Sequence, residues 1–113
     1  MISFNAREEA NRILVLEVVG ELDENTSEDF LDCIEEQIEK GHSRIIVDCT
    51  HLRYFSSYGI GTLIRVHSRM KKHNADVKLA SLQRAAAQAL RLTALDKILA
   101  VYTTVDDAQK SFD

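Results

Sequence analysis

RIIVDCTHLRYFSSYGIGTLIRVHSRM, residues Arg44 to Met70, is the stretch whose reading decides the fold. It begins with a β-branched run, Ile45 to Val47, that ends in the acid Asp48, continues through a polar loop, and then becomes helix-like from a pair of serines, Ser56 and Ser57. Short β-branched runs bounded by polar residues read as strands. Serine is favoured at helix starts because its hydroxyl accepts a hydrogen bond from a backbone N–H that has no partner inside the helix. A phosphate added there would face the same donors and the positive end of the helix dipole, which makes Ser57 a candidate switch.

Working outward, Ile13 to Val19 forms a nearly continuous apolar strand, preceded by a weaker strand from Ile2 to Arg7 with a turn near Glu9 to Asn11. Glu24, Asn25, Thr26 and Ser27 then supply helix-capping candidates, and Phe30, Ile34 and Ile38 recur every four residues, so an amphipathic helix is expected from Thr26 to Lys40. Its outer face, Glu28, Asp32, Glu35, Glu36 and Glu39, should meet water. After the Arg44 to Asp48 strand, a second helix is expected from Ser57 to about His73, with Ile60, Leu63, Ile64 and His67 toward the core. A strand at Val77 to Ala80, a helix at Gln83 to Thr93, a strand at Ile98 to Tyr102 and a terminal helix at Val105 to Phe112 capped by Thr104 complete the series. Strands alternating with helices require crossovers between parallel neighbours. The expected fold is therefore α/β: one mostly parallel sheet with an N-terminal hairpin strand and about four helices. No proline interrupts these elements.

Length and composition set bounds. The 113 residues suffice for one layered core, so a single domain over residues 1–113 is expected. The net charge of -4 argues against a general nucleic-acid binder. No apolar run approaches the roughly 20 residues of a membrane span, and Met1 to Ala10 lacks the pattern of a signal peptide, so the expected location is the cytoplasm without membrane insertion. Cys33 and Cys49 have no CxxC spacing and read as small apolar residues.

Gly20-Glu21-Leu22-Asp23, Asp48-Cys49-Thr50 with Leu52, Phe55-Ser56-Ser57-Tyr58-Gly59-Ile60 with Leu63, and Val105-Asp106-Asp107-Ala108 together resemble the STAS domain, and more narrowly the stand-alone bacterial anti-sigma factor antagonists. The likeness runs over nearly the whole chain. It implies an interaction protein rather than an enzyme, with Ser57 as phosphoacceptor and Ser56 as the alternative. Asp23, Ser56, Ser57, Tyr58 and Gly59 would contact the partner. It also implies that partner's nature: an anti-sigma factor that is itself a serine kinase, bound when Ser57 is unmodified and released on its phosphorylation, with a metal-dependent serine phosphatase reversing the step. This chain departs from the family pattern at Ser56, where aspartate is usual, at Tyr58, where a small hydroxyl residue is usual, and at Ala94, where glycine is frequent.

Asp48, at a strand end, is expected to order the following loop by accepting backbone N–H groups. Arg65, Arg69 and Lys72 form a basic stripe on the second helix, expected to be solvated or to meet an acidic partner. His42, His51, His67 and His73 lack metal-site spacing, and no phosphate-binding glycine loop is present, so neither metal nor cofactor is expected. Two alternatives remain. One is a STAS interaction subunit that is never phosphorylated, in a signalling scaffold or a lipid-transport complex. The other is a hydrolase built from Ser57, His51 and Asp48, which lacks the GxSxG turn.

Overall fold

Strand β2, Ile13–Leu22, and strand β3, Arg44–Phe55, run parallel at the centre of the sheet. The computed structural model describes residues 1–112. Strand β1, Ile2–Glu8, pairs antiparallel with β2, whereas β4, Asp76–Ala80, and β5, Ala100–Tyr102, continue the parallel side, so the order is β1-β2-β3-β4-β5. Helix α1, Ser27–Glu39, joins β2 to β3, helix α2, Ser57–Lys72, joins β3 to β4, and helix α3, Arg84–Leu92, joins β4 to β5. Helix α4, Val105–Lys110, closes the described chain, with the Thr104 hydroxyl accepting from Asp107 N–H at 3.0 Å. The α/β class, the antiparallel N-terminal strand and the four helices match the expectation from sequence.

The apolar runs of β2 and β3 are continuous because both faces of the sheet are covered. Leu14, Leu16, Val18, Ile45 and Val47 pack against Phe30, Leu31 and Ile34 of α1 and Leu63, Val66 and Met70 of α2. Ile13, Val15 and Ile46 face the other way, onto Ala108 of α4. Cys49 is buried on the first of these faces, and burial, followed by the neighbouring Asp48 carboxylate, pushes its thiol up to about 12 from 9.0.

Three expectations are corrected. The segment after Asp48 is not a loop: β3 continues to Phe55, because β2 also continues and pairs Gly20 with Leu52, Glu21 with Tyr54 and Leu22 with Phe55. Two register shifts, between Glu17 and Val19 and between Gly20 and Glu21, each put an extra residue on β3. Each extra residue reverses the alternation, so Cys49, Leu52 and Phe55 all face the same core at intervals of three. Of the residues expected inward on α2, Leu63 is buried and Ile60 packs against the core, but the buried stripe is Gly59, Thr62, Leu63, Val66 and Met70, with Ile64 and His67 half-buried beside it. The last strand starts at Ala100 rather than Ile98, whose side chain is exposed after a 3-10 turn over Leu95–Lys97.

Candidate functional site

Strand β4 ends at Ala80, opposite Asp48, so beyond that point β3 is paired with β2 alone. This two-stranded extension carries the ends of β2 and β3 out together and places the β2–α1 turn beside the start of α2. Asp48 sits where the extension begins. Its Oδ1 accepts from Thr50 N–H at 3.1 Å and from Thr50 Oγ1–H at 2.6 Å, across the first of the two extra residues.

On the β2 side, the Asp23 carbonyl accepts from Thr26 N–H, Ser27 N–H and Ser27 Oγ–H at 3.2, 3.0 and 2.6 Å. Its carboxylate Oδ1 accepts from Asn25 N–H at 2.9 Å, the geometry of an Asx turn. Thr26 Oγ1 accepts from Asp23 N–H at 3.0 Å and donates to the Glu21 carbonyl at 2.8 Å. Thr26 therefore holds the turn, and does not cap α1.

On the α2 side, Ser56 has extended backbone and its Oγ accepts from Gly59 N–H at 3.2 Å, so Ser56 is the helix cap. Its N–H donates to the Leu22 carbonyl at 3.0 Å, fastening the helix start to the end of β2. Gly59 lies directly over that carbonyl. A Cβ there would stand 2.3 Å from Leu22 O, a distance no side chain tolerates. Ser57 is the first residue of α2 and is exposed, and among the described residues its hydroxyl has no hydrogen-bond partner. Tyr58 follows, 49% exposed.

The α1–α2 seam holds a polar chain that sequence reading missed. Thr62 and Ser27 are both fully buried, and Thr62 Oγ1 lies 2.8 Å from Ser27 Oγ and 3.0 Å from the Tyr58 carbonyl. With Ser27 bonded to the Asp23 carbonyl, two hydroxyls connect α2 to the Asp23 turn. A threonine inside a helix and a serine 35 residues earlier form no pattern that spacing could reveal.

The basic stripe is also corrected: two of its members pair within the chain. Arg69 bonds Glu35, and Arg65 lies 3.9 Å from Glu28, so part of the acidic face of α1 meets α2 rather than water alone. On the extension, Arg53 pairs with Glu21, whose carboxyl is held below its usual range first by that bond and then by the chain's amino group 3.3 Å away. The hydrolase residues do not assemble. Asp48 is bonded to Thr50, and no hydrogen bond among the described residues links it to His51 or Ser57. No group of three or more potential metal ligands occurs among the described residues.

An N-terminal hairpin strand, a sequentially ordered parallel sheet and a serine-capped helix leaving the far end of β3 define a class of small α/β domains. The family model of the STAS domain matches residues 6–108, and the chain belongs to that family. The same fold occurs in an anti-sigma factor antagonist from Mycobacterium paratuberculosis, with TM-score 0.85 and 22% identity over 98% of this chain and 93% of that one. The antagonist-domain protein of Planctomyces limnophilus gives TM-score 0.79 and 20% identity over 96% of each chain. SpoIIAA of Bacillus in its phosphorylated form gives 0.70 and 18% over 98% of this chain and all of that one. At such identities the likeness is one of fold. No helix of the described residues is long and apolar enough to cross a membrane.

Proposed function

We propose that this STAS domain is an anti-sigma factor antagonist of a cytoplasmic partner-switching pathway, phosphorylated at Ser57. The observation that carries this reading is the division of labour between the two serines. Ser56 Oγ is occupied as the helix cap, whereas the Ser57 hydroxyl is exposed and unbonded at the first position of a 16-residue helix. Unmodified, the protein binds an anti-sigma factor that is also a serine kinase, through Ser56, Ser57, Tyr58, Gly59 and the neighbouring Asp23. Phosphorylation adds about -1.5 to -2 charge and three strong acceptors in the middle of that surface, and a partner shaped for a neutral hydroxyl is repelled. Within the chain the same phosphate meets the helix N-terminus, a favourable contact of roughly 0.3–1 kcal/mol, so the modification alters binding and leaves the fold intact. A metal-dependent serine phosphatase resets the switch. The phosphorylated form in which SpoIIAA is known supports the reading.

The test is intact mass with site mapping after incubation with ATP and each serine-kinase anti-sigma factor of the source organism. One added phosphate at Ser57, no modification of Ser57→Ala despite retained kinase binding, and weaker binding of Ser57→Asp are expected. The rival is a constitutive STAS interaction subunit, which the bulky Tyr58 beside Ser57 favours. A stable kinase complex with no phosphate transferred, and equal affinity for the Ala and Asp variants, would decide for it.

A further inference from the structure

We infer that Arg65 is a positioning residue that fixes the Tyr58 ring as the specificity-determining contact beside Ser57, selecting a kinase whose docking surface offers an apolar side chain to that ring. The inference rests on the reading of Ser57 given above. Tyr58 and Arg65 are seven residues apart, two turns of α2, and therefore lie on one stripe. The Arg65 guanidinium stands 5.6 Å from the Tyr58 ring centroid. Arg65 is itself held from two sides: it donates to Thr62 Oγ1 at 3.2 Å and approaches Glu28 of α1 to 3.9 Å. Thr62 in turn bonds the Tyr58 carbonyl and the buried Ser27 hydroxyl, which reaches the Asp23 turn. Backbone and ring of Tyr58 are thus both anchored at the α1–α2 seam, the side of α2 that faces Asp23. Tyr58 directly follows Ser57 in the first turn of α2 and is half-exposed, so its ring is open to a partner that engages Ser57.

An exposed aromatic with few rotatable bonds, already held, loses little freedom on binding, and such residues dominate interface energetics. Arg65 already supplies a cation to one ring face. A second cation there would be repelled by Arg65 and an anion by the negative face of the ring, so the complement for the remaining ring surface is an aliphatic or aromatic group. A small hydroxyl residue at position 58 would present no such contact.

The experiment is steady-state phosphorylation by the serine-kinase anti-sigma factor that modifies the wild-type chain. Tyr58→Ser is expected to raise KM about tenfold with the effect on KM rather than kcat, and Tyr58→Phe to restore near-wild-type KM. Arg65→Met is expected to raise KM about threefold in the wild-type background and to add nothing in the Tyr58→Ser background, because its role passes through the ring. Equal effects of Arg65→Met in both backgrounds, or an unchanged KM for Tyr58→Ser, would overturn the inference while leaving Ser57 as the acceptor. Thermal midpoints of all variants identify any loss due to unfolding, and Tyr58→Phe then carries the comparison. If no kinase of the source organism modifies the wild-type chain, the reading of Ser57 fails first and this one with it.

Discussion

The two halves of β3 do opposite work. From Arg44 to Asp48 the strand lies between β2 and β4, with Ile45, Ile46 and Val47 at most 1% exposed and helices on both faces. From Cys49 to Phe55 it pairs with β2 alone, takes two extra residues, and turns Arg53 and Tyr54 to solvent, Tyr54 at 58% exposure. The first half supplies burial. The second still buries Cys49 and Leu52, but it leaves Thr50, His51, Arg53 and Tyr54 exposed and carries the start of α2 to the Asp23 turn. Stability and the proposed switch are therefore expected to separate along one strand, and substitutions in each half can test how far they do.

The largest effect is expected in the first half. Ile46→Ala removes a fully buried side chain between the sheet and α4 and should cost about 2–5 kcal/mol in urea unfolding. Tyr54→Ala, in the second half, should stay within about 0.5 kcal/mol, as exposed positions usually do. Equal losses would erase the contrast.

Next come the glycines of α2. Gly59→Ala forces a methyl against the Leu22 carbonyl, so the helix start must lift from β2, at an expected cost of about 1–3 kcal/mol. Gly61→Ala meets no atom within 4 Å and should stabilise by about 0.5–1 kcal/mol, since alanine is the better helix former. Opposite signs two residues apart, read by thermal unfolding, would show that the close approach at Gly59 fixes the site.

The serine pair sharpens the comparison further. Ser56→Ala deprives Gly59 N–H of its acceptor and should cost about 1 kcal/mol, whereas Ser57→Ala removes an unbonded hydroxyl and should stay within about 0.5 kcal/mol. A larger loss at Ser57 than at Ser56 would reverse the roles assigned to them.

These contrasts also explain what was legible in the sequence. The apolar runs of β2 and early β3 and the four-residue spacing of Phe30, Ile34 and Ile38 report burial directly, so the order of elements and the sheet class could be read. Later β3 could not, because its extra residues break the two-residue alternation by which a strand is recognised, and Cys49-Thr50-His51 then resembles a loop. The phase of α2 was misjudged for a related reason. Ile60, Leu63 and Ile64 share one face by their spacing, but the contact of Gly59 with Leu22, invisible in sequence, turns the helix so that Leu63 stays buried while Thr62 and Val66 take the centre of the inward stripe. The serines at the helix start were visible because capping is local chemistry. The Ser27–Thr62 chain and the pairing of Arg65 and Arg69 with α1 were not, because they arise only when two helices are brought side by side.

A further small effect lies outside both halves and tests their separation from the other direction. Ala94, between α3 and the 3-10 turn, is held at φ 60 and ψ 18, a left-handed conformation that costs an L-residue roughly 1–2 kcal/mol. Its N–H donates to the Arg91 carbonyl and its own carbonyl accepts from Lys97, so the backbone is fixed in that state by bonds at both ends. The glycine frequent at the matching position of STAS domains would adopt this conformation without the Cβ clash, and part of that gain is lost to the greater freedom of glycine in the unfolded chain. Ala94→Gly should therefore raise stability by about 0.5–1 kcal/mol, seen as a higher urea midpoint at unchanged slope. The kinetics of the proposed phosphorylation at Ser57 should not move, because the relieved strain lies in neither half of β3 nor at the start of α2. A kinetic change would mean that the switch responds to the stability of the domain as a whole, and the division of β3 into a stabilising half and a switching half would fall.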